Sequence, residues 1–330
     1  MTPNQTQYSL AKGTMAYISL VVLVFSGLMA ALFFQGTPEN KSFLVKNSDL
    51  VAIIEEYQGD RVARISVSLN DLEAVVPEPA MPAWVSNASA AVPTADERAG
   101  PKIAIIIDDL GLDQEASKRL TAFQAPLTFA FLPYAEELGP QTRAAKAAGH
   151  ELMVHMPMQS HRTSADPGDN ALLAGLSYDE FSNRINWNLS RFEGFVGVNN
   201  HMGSLITEDP ALMVRVMARL RNEGLLFVDS LTTPNSMGKR AAKALGVPFV
   251  ARDVFLDNEQ DRDYILRQLE TTEKIARLRG YAIAIGHPYA ATMDVLEDWQ
   301  KTLSFKGLTL VPISQIMNEA LRRERKAVTS

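Results

Sequence analysis

Eight short apolar runs recur between Lys102 and Pro312 with helical patterns between them, and this alternation limits the folds open to the chain. The first four are "KIAIII" at Lys102, "LTFAFL" at Leu127, "ELMVH" at Glu151 and "FVGVN" at Phe195. "LLFVD" at Leu225, "VPFVA" at Val247, "AIAIG" at Ala282 and "LTLVP" at Leu308 complete the set. Strands that are apolar at nearly every position are covered on both faces, which means a parallel sheet layered with helices. The intervening helices have legible ends. Asp209 before Pro210 opens one that Gly224 closes, Ser177 with Glu180 forms a capping box, and another runs from Asn258 to Gly280. Eight such strands in an α/β chain suit a (β/α) barrel, irregular or incompletely closed, better than an open doubly wound sheet. No G-x-G-x-x-G or P-loop follows any of them, which argues against a nucleotide site.

The rest of the 330 residues divides by composition. No charge occurs between Lys12 and Glu39, and "AYISLVVLVFSGLMAALFF" (Ala16 to Phe34) is long enough to cross a hydrocarbon layer of about 30 Å. This predicts an uncleaved transmembrane anchor over 15–36, a short cytoplasmic N-terminus over 1–14 and a body exported across the inner (cytoplasmic) membrane. A short juxtamembrane segment, 37–74, contains "RVARISVSL", whose period-two pattern is that of a strand. Residues 75–100 are rich in Pro, Ala and Ser without periodicity and read as a flexible linker. The barrel domain then occupies 101–324, with a tail at 325–330. A net charge of −6 gives no basic excess and argues against a nucleic-acid partner. The absence of cysteine removes thiol nucleophiles, disulfides and zinc ribbons.

Polar residues interrupt the apolar runs at one place, the carboxyl ends of the strands. Asp108 and Asp109 end the first, Tyr134 follows the second, His155 ends the third, and Asn199, Asn200 and His201 follow the fourth. Asp229 ends the fifth, Arg252 and Asp253 the sixth, and His287 follows the seventh. In a barrel those ends converge on one mouth, where such folds build active sites. Two adjacent carboxylates repel one another and call for a cation. One carboxylate with two imidazoles suits Zn²⁺ or another divalent transition ion, and the second aspartate is placed to take a proton from water. Gly203, in the small-residue loop after His201, lets backbone approach a ligand. His150 reads as structural and His161 as a solvated rim residue.

Four segments, "IIIDDLG", "GHELMVH", "GVNNHMGS" and "IAIGHPY", together resemble the divergent branch of the polysaccharide deacetylases over Pro101 to about Glu319. The resemblance implies that Asp108 is the catalytic base, that Asp109 and His155 bind the metal, and that His287 is the general acid. The family's second ligand histidine is replaced here by Gln159, so His201 is expected to supply the third ligand from the next strand. Tyr134, Asn200, Gly203, Asp229, Arg252 and Asp253 are expected to line the substrate groove. The implied activity is metal-dependent removal of acetyl groups from an N-acetylated cell-envelope glycan. Two other readings stand beside it: a glycan-binding protein that has lost activity, and, less favoured, a metal-dependent phosphate-ester hydrolase.

Overall fold

The computed structural model describes residues 81–89 and 100–329, together with five strands between 23 and 68. The chain divides into two units, Met1–Ala74 and Val75–Ser330. In the first, β1 (Leu23–Phe25) pairs antiparallel with β2 (Leu28–Ala30). There β3 (Lys41–Asn47), β4 (Leu50–Glu56) and β5 (Val62–Ser68) form a three-stranded antiparallel sheet. The strand expected in "RVARISVSL" is β5. Apart from β1 and β2, which are strand and not helix, the span expected over 15–36 lies outside the described residues. No helix among the described residues is long and apolar enough to cross a membrane.

The second unit is built on a curled parallel sheet. Its strands are β6 (Lys102–Leu110), β7 (Thr128–Phe131), β8 (Glu151–Met158), β9 (Gly197–Met202), β10 (Leu226–Asp229), β11 (Phe249–Ala251), β12 (Val254–Phe255), β13 (Tyr281–Gly286) and β14 (Thr309–Leu310). They lie in the order β11-β10-β9-β8-β7-β6-β13-β12, with β14 paired to the start of β6. β11 and β12, at opposite edges of that order, are separated in the chain only by Arg252 and Asp253. Arg252 N–H donates to Asp229 O at 2.9 Å and Asp253 N–H to Ile283 O at 2.8 Å, so one bent segment bridges both edges. The result is a curled (β/α) half-barrel of parallel strands, the incompletely closed form of the barrel expected from the strand count.

Local chemistry explains the elements. Ile103 to Ile107 of β6 are fully buried, as a strand covered on both faces requires. Asp113 caps the helix Gln114–Thr121 by accepting from Ala116 N–H, and Ser177 caps Tyr178–Leu189 by accepting from Glu180 N–H. Asp209 caps Pro210–Asn222, and Gly280, at φ 88°, ends Arg262–Arg279 in the left-handed conformation that glycine tolerates.

The linker expectation needs correction at Met81–Ser89. Trp84, on the short helix Ala83–Ser86, joins the core cluster with Ile106, Met153, Val228, Ile285 and Ile316. Its N–H donates to Gly224 O at 3.0 Å, Asn87 Nδ2 donates to Phe195 O at 2.9 Å, and Ser89 N–H donates to Glu151 Oε1 at 3.1 Å. All three partners stand at or just before strand starts, so this segment closes the barrel at the end opposite the predicted mouth. Composition hid it because a single tryptophan among Pro, Ala and Ser has no period. Trp84→Ala should cost about 3 kcal/mol in denaturant unfolding, the low end for a buried aromatic truncated to alanine. A loss under about 1 kcal/mol would place Trp84 outside the core.

A candidate metal centre at the mouth of the sheet

Successive side chains of a regular strand point to opposite faces, so Asp108 and Asp109 could not share a site on an ideal β6. The register of β6 against β7 shifts between Ile107 and Leu110, and Asp109 takes a left-handed φ of 58°. This bulge turns both carboxylates into the same cleft. Gly111, at φ 108°, completes the turn where a Cβ would lie 2.7 Å from Ala135 Cβ. Met202 (φ 51°) and Leu231 (φ 48°) are also left-handed. Three of the five such non-glycine residues among the described residues therefore stand at one mouth, and strain concentrated in that way marks functional sites.

His155 and Asn199 are register partners on β8 and β9, which puts their side chains on one face. His155 Nδ1 lies 2.9 Å from Asn199 Oδ1, an atom that can only accept, so Nδ1 carries a proton and Nε2 faces the cleft. Asn199 Nδ2 in turn donates to Asp108 Oδ1 at 2.7 Å. Two residues further along β9, His201 brings Nδ1 to 3.2 Å from His155 Nε2 and 2.9 Å from Asp109 Oδ1. The distance from His155 Nε2 to Asp109 Oδ1 is 3.2 Å. Asp109 Oδ1 is nonetheless a buried atom that receives no hydrogen bond of acceptable geometry.

Three ligand atoms at these separations need something positive among them, a proton in the metal-free site or an ion in its place. A tetrahedral ion with bonds near 2.1 Å spaces its ligands about 3.4 Å apart, close to what is seen. The donor set, two imidazoles and a carboxylate with no sulfur, fits a divalent transition ion. Gln159 holds its loop instead: its side-chain Oε1 accepts from Ala174 N–H and its carbonyl from Leu205 and Ile206 N–H.

His287 follows β13. Its Nδ1 lies 2.9 Å from Asp257 Oδ1, its backbone N–H donates to Asp257 Oδ2 at 2.6 Å, and Thr292 Oγ1 donates to the same oxygen at 2.8 Å. The buried Asp257 carboxylate thus fixes the ring, leaving Nε2 at 3.8 Å from Asp109 Oδ2. Burial opposes charge on His287, but Asp257, Asp108 and Asp109 outweigh it and raise its pKa. Asp257 is not among the strand-end residues read from the sequence, and Asn199 is named there without a role. The available signal for Asp257 was its place just past the strand end at Phe255.

Burial raises the Asp108 pKa, partly offset by His155 and His287. Burial also acts on Asp109, but His155 and His201 prevail and hold it far below the usual carboxylate range. For His155, burial disfavours the charge while Asp108 and Asp109 lift the pKa to about 9 in the metal-free site. A histidine ligand binds metal in its neutral form, so below about pH 9 a proton must leave His155 when the ion enters. Zinc affinity should therefore rise up to about tenfold per pH unit between pH 6 and 9 in competition titrations, and a flat profile would refute this linkage.

The cleft has a volume of about 610 Å³, and its lining includes Asp108, Asp109, His155, His201 and His287. Asn200, Arg252 and Asp253 also line it, as expected for groove residues. Three others expected there do not. Asp229 is buried, accepting from Ser236 Oγ at 2.6 Å and Leu231 N–H at 2.9 Å, so its carboxylate shapes the loop after β10. Gly203, at φ 89°, starts the helix Ser204–Glu208 where a Cβ would sit 2.9 Å from Met158 Cβ. Tyr134 packs against Gly168, and burial, with Asp109, Asp166 and Asp169, pushes its hydroxyl up to about 12. His150 stacks on Phe129 and accepts from Leu127 N–H at 3.2 Å, a structural role. His161 is exposed and pairs with Glu208 at 2.9 Å.

Comparison with known proteins agrees with the fold. An uncharacterized Escherichia coli protein, YibQ, is 36% identical over 219 residues, covering 66% of this chain and 68% of its own. An uncharacterized Haemophilus influenzae protein is 34% identical over 209 residues, 63% of this chain and 74% of its own. The crystal structure of an uncharacterized Agrobacterium tumefaciens protein superposes with a TM-score of 0.68 at 26% identity, covering 73% of this chain and 98% of that one. The model of the divergent polysaccharide deacetylases matches residues 105–317, and the chain belongs to that family.

Proposed function

We propose that the protein is a metal-dependent hydrolase that removes acetyl groups from an N-acetylated cell-envelope glycan. The observation that carries this reading is the convergence of Asp109, His155 and His201 beside a second carboxylate, Asp108, and the His287–Asp257 pair. Asp109, His155 and His201 would hold the ion, and the two imidazoles favour zinc. When bound, it supplies a Lewis acid that polarises the acetyl carbonyl and acidifies the attacking water. Asp108 takes the water's proton. Burial keeps its basicity above that of an exposed aspartate, and the hydrogen bond from Asn199 holds one oxygen while the other faces the cleft. His287, oriented by Asp257 and with its pKa raised by the surrounding aspartates, delivers a proton to the departing amine nitrogen. The volume of the cleft, with Phe255 and Tyr264 on its wall, accommodates a sugar ring.

The uncharged run from Gly13 to Pro38 supports attachment to the inner membrane with the deacetylase domain on the extracytoplasmic side. Fractionation and protease accessibility of intact cells test that placement. The activity is tested by acetate release from N-acetylated glycan oligomers with the zinc-loaded full chain. Release that stops on chelation and returns with zinc is the expected result. Tight glycan binding without acetate release would favour a non-catalytic binding protein.

A further inference from the structure

Arg252 is the one lysine or arginine that lines the cleft among the described residues. Its position is rigid: Nε donates to Ser230 O at 2.7 Å, Nη2 donates to Leu231 O at 3.0 Å, and the guanidinium lies 5.1 Å over the Phe255 ring. Two of its five N–H groups are thereby satisfied, and the remaining three have no acceptor among the described residues. No carboxylate among the described residues comes within 4.0 Å of it.

The acids nearest in charge are already engaged. Asp253 accepts from Arg279 and from Ile283 N–H, Asp229 from Ser236 and Leu231, and Asp108 from Asn199. Asp108, Asp229 and Asp253 act on the guanidinium through space, but none of them accepts a hydrogen bond from it; a half-buried guanidinium with unbonded N–H groups is costly, and chains keep one where a ligand supplies the acceptors. The fork left open is the geometry that carboxylate and phosphate oxygens match.

We propose that Arg252 is the recognition site for an anionic substituent, a carboxylate or a phosphate, on the N-acetylated sugar. The inference rests on the deacetylase reading and narrows its substrate to acidic amino sugars, with the anion on Arg252 and the acetamide toward Asp108 and His287. Tyr264 and Phe255 line the same cleft.

The test compares three probes on the detergent-solubilised, zinc-loaded full chain by calorimetry: N-acetylmuramic acid (carboxylate), N-acetylglucosamine 1-phosphate (phosphate) and neutral N-acetylglucosamine. At least one anionic sugar should bind about tenfold to a hundredfold tighter than the neutral one, with a preference that weakens as salt rises. Which of the two binds tighter identifies the source of the anion. Arg252→Gln should reduce the ratio of anionic to neutral affinity at least about tenfold, and Arg252→Lys should retain part of it. Thermal melts of both variants show whether each is folded. An equal ratio in the wild type and the glutamine variant overturns the inference. So does an equal loss of all three probes in a folded variant, which would assign Arg252 to holding Asp108 or the Ser230 loop. Neutral-sugar binding and acetate release without anionic preference overturn this inference alone. Absence of binding by every probe together with absence of acetate release overturns the deacetylase reading with it.

Discussion

Asp108→Asn should lower the rate of acetate release by about a hundredfold to ten-thousandfold, the range for loss of a positioned general base, while zinc content stays near one ion per chain. The separation of the two readouts follows from geometry. The second Asp108 oxygen lies 3.6 Å from His155 Nε2, beyond the 3.2 Å and shorter contacts that group Asp109 with both imidazoles. The asparagine keeps an oxygen for the Asn199 amide, so the tautomer of His155 should survive. Loss of zinc in this variant would contradict the division of roles between the two aspartates.

Asp109→Ala should have the complementary outcome, with zinc affinity reduced by more than about a hundredfold and hydrolysis lost with it. Outer partners of metal ligands typically cost about 10–100-fold in affinity when removed, and Asp109 supplies a ligand atom itself. Its Oδ1 is within 3.2 Å of both His155 Nε2 and His201 Nδ1. The substitution also removes one of the two carboxylates that raise the His155 pKa, so metal-free His155 should titrate below about 9 when followed by NMR. Zinc affinity unchanged in Asp109→Ala would remove this residue from the centre.

Much of this site was legible in the chain because strand cores and strand ends differ so sharply in chemistry. "IAIII" from Ile103 and "AIAIG" from Ala282 are apolar throughout, and the first polar residues after them, Asp108 and His287, stand in the cleft. The same rule brought His155 and His201 to the mouth but overreached at Asp229, whose carboxylate caps a local turn. Residue type at a strand end does not say whether a side chain faces the cleft or its own loop. Asp257 escaped because the strand before it, Val254–Phe255, is too short to show a pattern. The bulge that turns Asp108 and Asp109 to one side also has no sequence signature apart from Gly111. Trp84 shows the opposite limit, a core residue inside a stretch whose composition reads as linker.

The most direct measurement is X-ray absorption or anomalous diffraction on the zinc-loaded full chain. One ion per chain, bound by two imidazole nitrogens and one carboxylate oxygen at about 2.0–2.2 Å and lost from Asp109→Ala, is the result expected. A protein that takes up no zinc on titration, or binds it through residues other than Asp109, His155 and His201, would contradict the account at its centre.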